Sequence, residues 1–430
     1  MNQAITISNG RLIDPANDID EITDLHILND LVIAIGQPPR GFSADLTIDA
    51  SNRIICPGLI DLSAKTREPG QEQKGTIASE TAAAASGGIT TLCCPPNTDP
   101  VIDSVAVVEL VQHKAKEAGF ARILPVGAMT KGLKGETLSE MAALKEAGCI
   151  AVGNASHPIG NTLIQRRAME YAATFGITTF LRSEDRHLKN NGCVHEGRIS
   201  TLLGLPGIPE AAEAVAVARD LALAEQTGAR IHFRGLSTGI ATRMISEAWR
   251  HNPAHSADVA IYHLFLTEND LDGFNSDCHV LPPLRTTTDR ELLRQALANG
   301  VINAICSDHQ PHEPEAKMSP FQSTATGISG LDSLLGLTLK LVQEGVMPLS
   351  DAIARLTSGP AKIIGLPLGQ LSVGATADVC IFDPDQPWQL LADNMHSKGH
   401  NTPFLGWEFT GQVTHTLFEG NLVYQRDSKT

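Results

Sequence analysis

Eight short apolar runs separated by helical patterns fill the middle of this chain, and few folds accept that alternation. The runs lie at 58–62, 89–94, 123–128, 150–153, 178–181, 230–235, 259–263 and 302–307. Between them apolar residues recur every three to four positions, as at 104–118, 163–174, 210–227, 241–250 and 290–298. A strand buried on both faces reads as a continuous apolar run, whereas a helix packed on a sheet reads as an amphipathic stripe. Eight such repeats predict a closed parallel barrel, the α/β architecture called a (β/α)8 or TIM barrel, over residues 58–366. In these barrels chemistry gathers at the C-terminal strand ends, so the informative residues stand where each run stops.

The flanks read differently. Strand patterns fall at 4–7, 25–27, 32–35, 46–49 and 54–56, with a turn signal at Asn9-Gly10, and return at 377–382, 412–418 and 422–424 around a turn at Glu419-Gly420-Asn421. Two β segments bracketing a barrel predict that residues 1–57 and 367–430 combine into one small composite β-sandwich domain.

Composition narrows the function classes. Aromatic residues make up only 4% of the chain, so the core is filled by Ala, Val, Leu and Ile. The formal charge is −15, which argues against nucleic acid or an anionic membrane as partner, because both need a basic face. No stretch reaches the roughly 18 apolar residues of a membrane span, and the first residues lack a basic-then-apolar leader, so a cytoplasmic location is expected. Eight scattered cysteines without a C-x-x-C pair read as buried thiols of a reducing compartment.

The strand ends carry motifs. The first reads Pro57-Gly58-Leu59-Ile60-Asp61-Leu62-Ser63-Ala64-Lys65-Thr66-Arg67-Glu68-Pro69-Gly70; the second ends Pro95-Pro96-Asn97-Thr98; the fifth Leu181-Arg182-Ser183-Glu184-Asp185; the sixth Gly235-Leu236-Ser237-Thr238; the eighth Asp308-His309-Gln310-Pro311-His312. Leu281-Pro282-Pro283-Leu284-Arg285 precedes the last. Together these resemble the dihydroorotases of the cyclic amidohydrolase superfamily over nearly the whole chain. In that family the first strand carries His-x-His, whose alternate residues point the same way and ligate catalytic zinc.

What the resemblance implies about chemistry is a loss. The two histidine positions hold Ser63 and Lys65, the bridging position on the fourth strand Ala155, the fifth-strand histidine Arg182, and the sixth-strand histidine Gly235. Of six metal-ligand positions only Asp308 keeps its residue, the one that ligates metal and acts as base in active relatives. A lysine ammonium has no lone pair and repels a cation. His232 stands three residues from Gly235 and so points to the opposite face of its strand. Arg67, Asn97, Arg285 and His312 match substrate contacts of the family, and serve here as a vestigial carboxylate site or as local structure. Lys65 and Arg182 bring positive charge beside Asp308, and a direct pairing of one or both with it is expected.

The resemblance is strongest to non-catalytic dihydroorotase-like subunits of bacterial aspartate carbamoyltransferase. It implies a pseudoenzyme without zinc that joins the transcarbamoylase catalytic chain in a hetero-oligomer with six copies of each. Two other readings stay open: an active zinc-dependent cyclic-amide hydrolase whose ligands come from among His157, His187, His195, His263, His279 and His309, and an emptied barrel that binds a pyrimidine intermediate.

Overall fold

The computed structural model describes residues 3–250 and 255–426; residues 1–2 and 427–430 of the two end segments lie outside the described residues. The barrel strands are Leu59–Asp61, Ile89–Cys94, Arg122–Ala128, Ala151–Gly153, Thr178–Leu181, Ile231–Phe233, Ser256–Ala260 and Ala304–Cys306, joined in that order as one parallel sheet. The first and eighth meet through a parallel bridge between Ala64 and His309, where Lys65 N donates to His309 O and His309 N to Ser63 O. All eight runs therefore form strands, and the barrel nearly closes. Helices Val105–Ala118, Thr162–Thr174, Ala211–Thr227, Gly239–Trp249 and Thr287–Ala298 occupy the predicted stripes. Asn161 caps the second of these and Thr286 the last, each accepting from backbone N–H groups that the helix cannot satisfy internally.

Two expectations are corrected. The seventh strand ends at Ala260, and the apolar run continues as a 3₁₀ turn, Ile261–Leu264. Apolar character marked burial there rather than extension, and the turn aims Tyr262 into the barrel mouth. Asn9-Gly10 does not reverse the chain: strand Ala4–Asp14 runs through it with a bulge between Ile7 and Gly10, Asn9 taking φ 62°. A bulge uses the same residue preferences as a tight turn but only bends the strand.

Strands from both ends interleave in one eight-stranded sheet, because Val379–Gln389 pairs with Ile54–Pro57, which in turn pairs with Ala4–Asp14. Val32 near one end of this sheet and Leu417 near the other share one buried cluster with Ile5, Leu25, Ile55 and Ile381, so the sheet curls over its own core. Its other face, through Ile13, Ile54, Cys56, Cys380 and Phe382, is continuous with the core around the barrel. All eight cysteines are buried and free, as the scattered spacing suggested. No helix among the described residues is long and apolar enough to cross a membrane.

Candidate functional site

The barrel mouth brings together the six positions singled out above. Ser63, Lys65, Ala155, Arg182, Gly235 and Asp308 line one cavity of about 40 Å³ with Ser156, Arg234, Asp258, Tyr262 and Gln310. Each stands just past the end of its strand. Ala155, Gly235 and Asp308 have φ of 49°, 60° and 44°. A left-handed backbone costs an L-residue about 1–2 kcal/mol, so Ala155 and Asp308 hold conformations that only the surrounding fold stabilises.

Asp308 is fully engaged by neutral donors. Its Oδ1 accepts from Ser63 Oγ at 2.9 Å, and its Oδ2 accepts from Tyr262 OH at 2.9 Å and Gln310 Nε2 at 2.9 Å. The direct pairing expected with Lys65 or Arg182 is not formed. Lys65 Nζ instead donates to Gln310 Oε1 at 2.7 Å, so an amide stands between ammonium and carboxylate. Arg182 turns to Glu184, 3.6 Å away, which also takes Lys189 at 2.8 Å. Three hydroxyl and amide donors satisfy the carboxylate without requiring a second desolvated charge beside it. Burial, reinforced by Arg67, Arg182 and Arg234 and opposed by Asp308, pulls Lys65 down to about 7. Tyr262 is pushed up by burial and then by the charge of Asp308.

The seam between first and eighth strands is densely bonded. Buried Asp61 accepts from Ser63 N and Ser307 N, both at 3.1 Å, and from Ser307 Oγ. His309 Nδ1 accepts from Gly330 N at 3.1 Å, which leaves Nε2 to donate to Glu80 at 2.8 Å. Both side chains of this pair are fully buried, and Glu80 also accepts from Ser397 Oγ at 2.7 Å. Across the mouth the pattern differs: Arg234 Nη2 donates to Ser63 Oγ, but Nε of Arg234 and both Nε and Nη2 of Arg182 are buried without a hydrogen-bond partner.

The residues matched to substrate contacts separate into different places. Arg67 donates to Pro311 O at 2.9 Å and meets His312 Nε2 at 2.8 Å, while Lys74 stands 3.2 Å from His312 Nδ1. Burial, then the cations Arg67 and Lys74, hold His312 neutral, and burial lowers Arg67 to about 10. Asn97 lines a small neighbouring cavity with Lys65 and Arg67, its Oδ1 unpartnered. Arg285 is buried, donating to Ser237 Oγ at 3.1 Å and Ile208 O at 2.8 Å beside His195. It does not line the mouth cavity.

The donor set does not fit zinc. A catalytic zinc site needs about three protein ligands plus an open position, and this lining offers two carboxylates and one buried thiol: Asp308 is bonded through both oxygens, Asp258 accepts from His232 Nε2 at 2.8 Å and Gly235 N at 2.6 Å, and Cys306 Sγ lies 3.7 Å from Asp258 Oδ1. His232, with Ser256 on its other nitrogen at 3.0 Å, is occupied there. Among the histidines considered as relocated ligands, His309 is held by Glu80, His195 abuts Arg285, and His279 meets Thr324 at 2.8 Å. His157 and His187 are exposed, and His263 is buried. No three His, Cys, Asp or Glu side chains among the described residues are grouped to hold a metal ion.

Arg234, Tyr262 and Gln310 were not singled out from the sequence, although each is central here. Gln310 stands two residues past Asp308 and Arg234 one before Gly235, so position at a strand end was the available signal.

Comparison with known proteins agrees with this frame. A family model described as Dihydro-orotase-like matches residues 52–239, and one described as Amidohydrolase family matches 188–423. A dihydroorotase-like protein of Pseudomonas aeruginosa is 48% identical over 421 residues, 98% of this chain and 99% of its own. A dihydroorotase of Syntrophotalea carbinolica is 44% identical over 421 residues, again 98% and 99%. The solved L-hydantoinase (dihydropyrimidinase) from Arthrobacter aurescens shares the fold, with TM-score 0.89 at 22% identity over 100% of this chain and 97% of that one. By full-length identity to these relatives, the chain belongs to the dihydroorotase-like family of amidohydrolases.

Proposed function

We propose that this chain is a catalytically inactive dihydroorotase homologue that serves as an assembly subunit of aspartate carbamoyltransferase in cytoplasmic pyrimidine synthesis. The observation that carries the inactive reading is the mouth itself: a serine, a lysine, an alanine, an arginine and a glycine at five ligand positions, and the remaining carboxylate bonded to Ser63, Tyr262 and Gln310. Zinc is absent in this reading, and the chain contributes surface rather than turnover. The partner is the transcarbamoylase catalytic chain, six copies of each. That partner rests on the resemblance to non-catalytic subunits, to which the Pseudomonas aeruginosa relative's name, dihydroorotase-like protein, adds support.

Co-expression with an aspartate carbamoyltransferase catalytic chain tests it. A stable complex with equal numbers of both chains, and transcarbamoylase activity that depends on this chain, is expected. Two chains that elute separately, with full activity in the catalytic chain alone, would sink the assembly role. A second reading, an active zinc-dependent cyclic-amide hydrolase, is favoured by the name dihydroorotase carried by the Syntrophotalea carbinolica relative; dihydroorotate turnover by the purified chain would establish it.

A further inference from the structure

The mouth cavity carries three cationic side chains against two carboxylates. Where related sites gather donors around a cation, this lining carries Lys65, Arg182 and Arg234. The two carboxylates among its described residues are already engaged, Asp308 by three neutral donors and Asp258 by His232 and Gly235 N. Outside the lining, Glu184 lies 3.6 Å from Arg182, beyond hydrogen-bond reach, and its other oxygen takes Lys189. Three guanidinium nitrogens, Nε and Nη2 of Arg182 and Nε of Arg234, are left buried without an acceptor. Unsatisfied buried donors on charged groups are costly, and guanidinium forks match the planar oxygens of carboxylate and phosphate. The volume, about 40 Å³, holds a few waters at the ~10–15 Å³ each requires, or one small polyatomic anion.

We infer that the emptied mouth is an oxyanion site, in which Arg182 and Arg234, with Lys65 at its edge, hold a small carboxylate or phosphate near the place where relatives hold metal. The inference rests on the reading that no metal occupies the mouth. Ser156 also lines the cavity.

Calorimetric titration of the full-length chain with inorganic phosphate and, separately, with acetate at constant ionic strength tests this, with metal content and dihydroorotate turnover measured on the same sample. One site per chain is expected for at least one anion, and the arm that binds more tightly identifies its class. Arg182→Gln and Arg234→Gln should each weaken binding about tenfold or more, the loss of one charge-assisted hydrogen bond. Ser156→Asp, which places a competing carboxylate in the cavity, should abolish binding while leaving the thermal midpoint without anion close to the parent's. A metal-free, inert, folded chain that binds neither anion, or binds one equally well in all three variants, overturns the oxyanion site alone. Zinc in the mouth with turnover overturns both this inference and the inactive reading.

Discussion

The wall built by the first and eighth barrel strands and the wall built by the fourth, fifth and sixth face each other across one cavity, yet they hold their side chains differently. On the first wall nearly every polar atom has an internal partner: Asp61 with Ser63 and Ser307, Ser63 with Asp308, and His309 with Glu80 and Gly330. These bonds also close the barrel, since Ser63 O and His309 O receive the backbone bonds across the seam. On the opposite wall Ala155 and Gly235 offer no side-chain donor, and Arg182 reaches Glu184 only at 3.6 Å. Residues of the first wall serve both closure and site, so Asp308 has structural partners that do not depend on a metal. Ala155, Arg182 and Gly235 on the second wall make no such bond across the seam.

The largest effect should come from breaking the seam. Glu80→Ala leaves the buried His309 Nε2 and the Ser397 hydroxyl without their acceptor, and should destabilise the chain by about 3–5 kcal/mol in denaturant unfolding. A loss under ~1 kcal/mol would show that the two walls do not differ as described.

Lys65 tests the boundary between the walls. Its folded-state value of about 7 lies below the ~10.4 of an unfolded lysine. Folding therefore releases a proton between these values, so stability falls as pH drops from about 10.4 towards 7, and below 7 the full penalty is present. Lys65→Met should raise stability at pH 7 by about 1–2 kcal/mol, allowing for solvent screening of a partly exposed ammonium. The gain should shrink towards zero by about pH 10. A variant less stable than the parent at pH 7 would mean that the Gln310 bond outweighs the desolvation of the charge.

The smallest effect belongs to the second wall. Arg182→Met removes a guanidinium with two nitrogens that make no hydrogen bond and only a long, 3.6 Å approach to Glu184, and should change stability by less than about 1 kcal/mol, in either direction. A loss comparable to that of Glu80→Ala would erase the contrast.

Much of the frame was legible because buried parallel strands read as apolar runs and strand ends carry compact motifs. The 259–263 run misled at its end, since Ile261, Tyr262 and His263 are buried in a 3₁₀ turn as fully as they would be in a strand. Asn9-Gly10 suits a bulge as well as a turn, and only pairing with the neighbouring strand distinguishes them. The six positions around the mouth could be named because the strand-end motifs resemble those of dihydroorotases closely enough to align residue by residue. How Lys65 meets Asp308 could not, because Gln310 enters between them through side-chain geometry that spacing does not encode. Arg285 shows the same limit: its motif sits beside the site, but its guanidinium is spent on Ser237 and Ile208.

The most direct test of the central claim is elemental analysis of the purified chain, expressed with zinc supplied, together with a dihydroorotase assay on the same preparation. A mouth lined as described predicts less than about a tenth of a zinc per chain and no turnover, since a catalytic site needs ~3 ligands and no three ligating side chains among the described residues are grouped to hold a metal. Near one zinc per chain, with turnover abolished by Asp308→Ala, would contradict it.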